Sequence, residues 1–302
     1  MQLALTKAKA SLQRYNQLFL LVAVLIIATV ISHGVFIRPT NLILVIASAA
    51  AFGLVSFGQA LVVIGGGFDL AVGSLVAMSI SAIVFFRADY GFVSGAFVSR
   101  TKIPPFIVTL GMLSVADSMS WILAAGQPIT VSEYNDAISP LFENLPLGEN
   151  YFPIIILIVG FVVTSLLLHR SKWGRYIYAI GDNEAAAKIA GVPVMKTKLL
   201  CYGLSGLLCA AGAIIYLYQN ISATPGEGAD YLLLSFAATI LGGVYMYGGE
   251  GTIPGVLVGV ICLASITSAL TIAGVPPSIY QGVLGIVVLS VVLVQAQIRI
   301  RK

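Results

Sequence analysis

The chain has 302 residues, of which 59% are hydrophobic and only 9% are charged, and its formal net charge is +4. Soluble domains carry about 25% charged residues, so this composition excludes an ordinary soluble domain. Lys and Arg gather at the ends of apolar runs, which is typical of membrane orientation and does not indicate nucleic-acid binding. Because apolar runs of roughly 18 or more residues cross a bilayer as helices, we expect an all-α polytopic membrane protein surrounded by lipid.

The expected spans follow one another with short connections, and 1–302 reads as one transmembrane domain. Including re-entrant pieces, we expect about 9–10 helices. The candidate segments are Gln17–Ile37, Asn41–Ile64, Leu70–Phe86, Pro104–Ala125, Tyr151–His169, Thr197–Tyr218, Tyr231–Val244, Thr252–Ala273 and Pro277–Gln295.

Charge fixes the expected orientation. The loop 170–198 and the tail after 295 are rich in Lys and Arg, as is the N-terminus, so all three are expected in the cytoplasm. The stretch 126–150 contains acidic residues and no Lys or Arg, which places it on the opposite side. The first half of the chain does not give the number of crossings that this orientation requires. The apolar part of 87–102 holds only about ten residues, which form about 15 Å of helix for a bilayer of roughly 30 Å.

Two glycine-rich segments suggest a weak internal two-fold repeat. GGFDLAVG (66–73) matches GGEGTIPG (248–255), and IPPFIVTLG (103–111) matches VPPSIYQGV (275–283) in the same order. Broken apolar segments in corresponding places point to a transporter's pathway. The residues expected to line it are Gly66, Gly67, Asp69, Gly73, Ser74, Gly248, Gly249 and Thr252. For Asp69, the alternative is that it is simply the N-cap of a helix beginning at Leu70, a role that is compatible with lining the pathway.

GDNEAAAKIAG (181–191) predicts a short solvent-facing helix between membrane spans. Asp182 or Asn183 can cap a helix from Glu184 to Ala190, and Gly191 suits the position after its end. The small side chains cannot fill a core, so they suit a groove on another protein; an ordered loop without a partner is the alternative.

Motifs for enzymatic chemistry are missing from the sequence. It has no HExxH, no GxxxxGK[ST] and no GxSxG, so we expect no catalytic residue, no metal and no cofactor. Asp117 is the one acidic residue expected deep in the bilayer, and it has no carboxylate partner of the kind that a coupling-ion site requires.

Five segments closely resemble the permease subunits of bacterial ABC importers for monosaccharides, the ribose, xylose, arabinose and galactose group. They are GGGFDLAVGS, KIPPFIVTLGML, GQPI, WGRYIYAIGDNEAAAKIAGV and GGEGTIPGVLVG, and the similarity covers nearly the whole chain. The resemblance implies about ten helices, a homodimer or heterodimer of permease chains, two cytoplasmic ATPases and a periplasmic sugar-binding protein. It also implies that 170–198 is a cytoplasmic coupling loop, in which the ATPase contacts are Gly181, Asp182, Asn183, Glu184, Ala186, Ala187 and Gly191.

The chain departs from this family in two places. Relatives carry an additional long apolar stretch where only 87–102 remains, so we expect that one span is shortened and that assembly or transport is impaired. Relatives more often carry a basic residue in place of Asp117. The sequence thus predicts an inner-membrane sugar permease with cytoplasmic termini and no ATPase activity of its own. The alternatives are a permease for another small polar solute, such as a nucleoside or an autoinducer-type sugar, and a secondary carrier.

Overall fold

The computed structural model describes residues 2–82, 89–100, 103–130, 151–220, 222–276, 278–280, 282–283, 285–287 and 289–290. Its elements, in chain order, are α1 (Gln2–Ile31), α2 (Pro39–Ile64), α3 (Val72–Ala82), α4 (Asp89–Arg100), α5 (Pro105–Leu123), β1 (Ile129–Thr130), α6 (Tyr151–Arg170), α7 (Lys172–Ile189), α8 (Val194–Asn220), β2 (Ser222–Ala223), α9 (Asp230–Leu241) and α10 (Ile253–Ile272).

The all-α polytopic class is confirmed. Within the described ranges, α2, α5, α6, α8 and α10 are long and apolar enough to cross a membrane. Shorter apolar helices occur at Gln17–Ile31, Val72–Ser81 and Asp230–Leu241. The strands β1 and β2 form one antiparallel two-residue ladder that pairs Ile129 with Ala223. Most of the expected last span, the acidic stretch 131–150 and the basic tail lie outside the described residues.

Helix α2 forms the centre of the bundle. It begins with Pro39, whose missing N–H costs nothing in a first turn, and every residue from Ala49 to Ile64 is buried. Three glycines follow its end. The amides of Gly66 and Gly67 donate hydrogen bonds of 2.9 Å to carbonyl oxygens of the last turn of α2 and so cap it. The chain can therefore turn sharply while the carbonyls at the end of α2 remain satisfied.

Small residues bring α2 and α8 into close contact. A Cβ added at Gly58 would lie 2.8 Å from Cα of Ser205, and one at Gly212 would lie 2.9 Å from the carbonyl oxygen of Ala51. Small residues at such contacts let helix backbones approach closely in membranes. The Gly206–Gly212 region of α8 is thus used for packing within the chain.

Helices α9 and α10 pack together in the same way. A Cβ at Gly255 would overlap the carbonyl oxygen of Gly242, and one at Gly259 would overlap that of Ala238. The small residues of α10 are therefore buried against a neighbouring helix of the same chain.

The region 87–102, expected to be a shortened span, contains α4, which has 12 residues and so reaches about 18 Å of a bilayer of roughly 30 Å. It packs against α8, where a Cβ at Gly95 would lie 3.0 Å from Cβ of Tyr202 and 3.2 Å from Cα of Leu199. Residues 83–88 and 101–102, on either side of it, lie outside the described residues.

Candidate functional site: a glycine junction beneath a surface helix

The expected short helix is the end of a longer one. Helix α7 begins at Lys172, and it is bent at Asn183, whose φ of −157° and ψ of 101° are not helical. The side chain of Asn183 accepts a hydrogen bond of 3.0 Å from the amide of Ala186, so it caps the second part. Gly191 follows the end with φ +81°, and its amide donates to Lys188 at 3.1 Å. We call residues 184–189 the tip helix.

The tip helix exposes one face to solvent. Asp182, Asn183, Glu184, Ala186 and Gly191 are exposed, whereas Ala187, expected among the ATPase contacts, is only 5% exposed and packs inward. Ile189 is 90% exposed. A large aliphatic side chain held out on a capped helix is a natural anchor for a binding partner.

An ion pair holds the tip helix to the membrane domain. The ammonium group of Lys198, near the start of α8, lies 2.7 Å from a carboxylate oxygen of Glu184. The pair is partly exposed, so its stabilisation is at most about 1 kcal/mol. It aligns the tip helix with α8.

Three segments that are distant in sequence meet directly behind the tip helix, and we call Gly66, Gly181, Gly248 and Gly249 the glycine junction. The amide of Gly249 donates to the carbonyl of Ile64 at 2.9 Å. A Cβ at Gly248 would lie 2.8 Å from Cα of Gly66 and 2.9 Å from the carbonyl oxygen of Gly181. A Cβ at Gly181 would overlap the backbone of both Ile64 and Gly249. Side chains cannot fit here, so the three backbones touch.

The first glycine segment, GGFDLAVG (66–73), runs from the junction into the bundle. The hydroxyl of Tyr202 donates to the carbonyl of Phe68 at 3.1 Å, and a Cβ at Gly67 would lie 2.7 Å from that hydroxyl oxygen. Irregular backbone is tolerated at membrane depth only where protein or water satisfies it. Tyr202 of α8 supplies that partner.

Asp69 is buried and fully engaged. One carboxylate oxygen accepts from the amide of Ala71 at 3.0 Å, and the other accepts from the hydroxyl of Ser205 at 3.2 Å. Helix α3 begins at Val72 and not at Leu70, so Asp69 stabilises the turn before the helix and joins it to α8. Gly73, next in line, packs against the carbonyls of Gly228 and Ala229 at 2.9 Å, measured from an added Cβ, and Ser74 is 6% exposed.

The second repeat segment is built in a similar way. Thr252 caps α10, because its hydroxyl oxygen accepts from the amide of Gly255 at 3.2 Å. The hydroxyl of Tyr178, on α7, donates to the carbonyl of Gly251 at 2.6 Å. Burial raises the pKa of Tyr178, which keeps the phenol protonated as a donor.

Asp117 lies beside a loop. On α5 it is partly exposed, and a Cβ at Gly226 would lie 3.6 Å from its Oδ1 and 3.7 Å from Nε1 of Trp121. The turn before α9 therefore covers part of this carboxylate, which reduces its contact with hydrocarbon.

Sequence reasoning missed three residues of this region: Tyr178, Tyr202 and Ile189. A tyrosine within a helix carries no local signal of its distant carbonyl partner. Ile189 did carry a signal, since it is the only large aliphatic residue of GDNEAAAKIAG, but it was not included among the expected contacts.

A family model described as the branched-chain amino acid transport system / permease component matches residues 88–292. The chain belongs to this family. The matched range covers α4 to α10, and so includes the tip helix and the second glycine segment. With several apolar helices, this permease is a multi-pass protein of the inner membrane.

Relatives of this permease are sugar importers by name, which confirms the resemblance seen in its motifs. A ribose import permease protein of Bacillus subtilis is 34% identical over 91% of this chain and 90% of its own length. A fructose import permease protein of Rhizobium meliloti is 32% identical, over 93% and 85%, and the ribose import permease protein of Escherichia coli is 31% identical, over 95% and 94%. None of the solved structures compared with this permease matches it significantly.

The alignment lengths show that this permease lacks residues present in a relative. The alignment with the fructose permease covers 307 positions, but 93% of 302 residues is about 281. About 26 positions of that alignment therefore have no residue here. A membrane-spanning helix takes about 20 residues, so a deficit of this size is large enough to include most of one span.

Proposed function

We propose that this chain is the transmembrane permease subunit of an ABC importer that moves a monosaccharide into the cytoplasm. Its partners are a cytoplasmic ABC ATPase, which hydrolyses the ATP, and a periplasmic sugar-binding protein, which delivers the solute. Two permease chains form the membrane part of the importer. The relatives named for ribose and fructose support a small polyhydroxylated solute.

The tip helix is the observation that carries this proposal. It is capped at both ends, it stands on the surface between α6 and α8, and it presents Glu184, Ala186 and Ile189 outward. A helix with small exposed side chains around one large apolar anchor fits a groove on another protein. Its basic flanks, with Arg170, Lys172 and Arg175 before it, support a cytoplasmic position for this helix, and the basic residues of the N-terminus support the same position there.

The glycine junction supports the way in which the ATPase drives transport. Closure of the ATPases around ATP displaces the tip helix. The displacement reaches the end of α2 and the segment before the start of α10 directly, because the backbones at Gly181, Gly66 and Gly249 are in contact. Packed backbones cannot be compressed, so they transmit rigid-body movement. The two glycine segments that lead into α3 and α10 then tilt and open the route for the solute, in which Asp69, Gly73, Ser74 and Thr252 position the helix starts.

The proposal is tested by copurification with the ATPase encoded for the same importer. The wild-type chain should retain the ATPase on an affinity column. Ala186→Arg, which places a long charged side chain on the exposed face of the tip helix, should abolish retention. Ala273→Arg makes the same change at an exposed alanine after α10, about 30 Å along that helix from the junction, and should retain the ATPase.

The contrary outcome is equally clear. A chain that retains no ATPase but moves solute alone, in response to ionophores, is a secondary carrier. The solute class is tested on the binding protein: the expected ligand is a monosaccharide, and selective retention of a nucleoside or an amino acid would contradict it.

A further inference from the structure

Two tyrosine hydroxyls hold the two glycine segments at nearly equivalent places. Tyr202 donates to the carbonyl of Phe68 at 3.1 Å, and Tyr178 donates to the carbonyl of Gly251 at 2.6 Å. When GGFDLAVG is placed over GGEGTIPG, the residue that corresponds to Phe68 is Glu250, so the two acceptors differ by a single position. The donors come from neighbouring helices, α8 and α7.

Both tyrosines lie on helices that are connected to the tip helix. Tyr178 lies on α7, five residues before the bend that starts the tip helix. Tyr202 lies on α8 one turn after Lys198, whose ammonium group binds Glu184 of the tip helix. Each glycine segment is therefore connected to the helix of its tyrosine by a hydrogen bond from that tyrosine, in addition to the backbone contacts of the junction. The first segment has a second bond from α8, which Ser205 donates to Asp69.

The surroundings make these bonds difficult to replace. Tyr202 is 2% exposed, and a Cβ added at Gly67 would lie only 2.7 Å from its hydroxyl oxygen, so water has little access to the carbonyl of Phe68. Tyr178 is partly buried and makes the shorter bond. Loss of the Tyr178 hydroxyl would remove the side-chain donor to the carbonyl of Gly251. Loss of the Tyr202 hydroxyl would leave the carbonyl of Phe68 with the longer bond from the hydroxyl of Thr109, at 3.3 Å, which Thr109 shares with the carbonyl of Pro105 at 3.0 Å.

We propose that Tyr178 and Tyr202 are positioning residues that couple the tip helix to the two helix starts of the solute pathway. Tyr178 moves the start of α10, and Tyr202 moves the start of α3. This inference rests on the proposed function. Coupling free energy acts in both directions, so the same bonds carry the signal of a docked binding protein back to the ATPase.

The experiment measures the ATPase rate of the complete importer in nanodiscs, with and without sugar-loaded binding protein. Tyr178→Phe and Tyr202→Phe keep the rings and remove only the hydroxyls. Each variant should retain the ATPase and its basal rate, while stimulation by loaded binding protein should fall about fivefold, the lower end of typical allosteric couplings. The double variant should lose nearly all stimulation.

Tyr176→Phe is the matched control. Tyr176 is on the same helix as Tyr178 and packs edge-on against Trp173, with ring centroids 5.9 Å apart, away from the glycine segments. Stimulation in this variant should equal that of the wild type.

The outcomes separate this inference from the proposed function. Stimulation that survives in the double variant overturns the role of the tyrosines and leaves the importer assignment intact. A proportional loss of basal rate and stimulation in Tyr178→Phe, Tyr202→Phe and Tyr176→Phe also overturns the role of the tyrosines, because such a loss would show a general structural effect. Failure of the wild-type chain to bind any ATPase defeats the proposed function itself.

Discussion

The amide of Gly249 donates a hydrogen bond of 2.9 Å to the carbonyl oxygen of Ile64, although the two residues belong to opposite halves of the chain. The bond joins the end of α2 to the segment that leads into α10. Gly181, at the bend of α7, fits against both residues with no room for a Cβ. The two glycine segments and α7 are therefore in direct backbone contact.

Gly181→Ala should destabilise the protein and impair its coupling. The added methyl group would overlap backbone atoms, and overpacking of this kind costs about 1–3 kcal/mol. We expect a lower midpoint of thermal unfolding in detergent, followed by intrinsic fluorescence, together with weaker stimulation of the ATPase by loaded binding protein.

Gly111→Ala provides the control for that substitution. A Cβ at Gly111 has no other atom within 4 Å, and alanine favours a helix over glycine by up to about 1 kcal/mol. Its unfolding midpoint should be unchanged or higher. Equal midpoints for the two variants would contradict the close contact at Gly181.

The tip helix was largely predictable from sequence because its signals are local. Asn183 and Gly191 occupy the capping positions that their residue types indicate. The preceding part of α7 was missed, since Lys172 and Arg175 suggested a loop, although the spacing of the buried residues Ile177 and Ile180 fits one helix face. The convergence of 66, 181 and 248 could not be predicted, because no short-range pattern specifies which distant turns meet. The only sequence signal related to this convergence was the repeated pair of glycines.

Ile189→Ala should weaken binding of the ATPase without affecting the fold. The side chain is 90% exposed, so its removal leaves no cavity in the free protein. Truncation of an interface anchor costs about 1–2 kcal/mol or more, which corresponds to at least about fivefold in Kd. Surface plasmon resonance with the permease in nanodiscs measures this directly.

Ile122→Ala is the matched change for Ile189→Ala. Ile122 is 69% exposed at the end of α5, on a helix that has no part in the tip helix system. ATPase affinity should be unchanged in this variant. An anchor role for Ile189 is refuted if its substitution alters Kd no more than the substitution of Ile122 does.

Gln59→Met should raise the unfolding midpoint. Gln59 lies fully buried in α2, and among the described residues neither polar atom of its amide has a hydrogen-bond partner. An unsatisfied buried polar group costs about 1–3 kcal/mol, and methionine is of similar length and apolar. Thermal unfolding in detergent measures the gain.

Gln219→Met should have the opposite effect on the same measurement. The amide of Gln219 donates to the carbonyl of Ala47 at 2.7 Å and so joins α8 to α2. Its loss should cost about 0.5–1.5 kcal/mol. If both glutamine variants destabilise the protein, then Gln59 makes a necessary interaction that the account lacks.

Lengthening the region 83–102, which we propose to be a shortened span, should increase transport. Replacement of 83–102 by the corresponding, longer stretch of a ribose permease relative should raise ATP-dependent sugar uptake in proteoliposomes, since a helix as short as α4 cannot cross the bilayer alone. The same inserted residues placed in the stretch 131–150 serve as control. Uptake by the unaltered chain at the rate of the restored one would show that the short span is no defect.

Photocrosslinking from residue 186 tests whether the ATPase attaches at the tip helix. A photoreactive amino acid introduced at Ala186 and another at Ala273 are irradiated in turn with the purified ATPase. We expect a covalent adduct with the ATPase from position 186 and none from position 273. An ATPase that binds the permease but crosslinks from neither position, or equally from both, would show that the tip helix is not where the motor attaches.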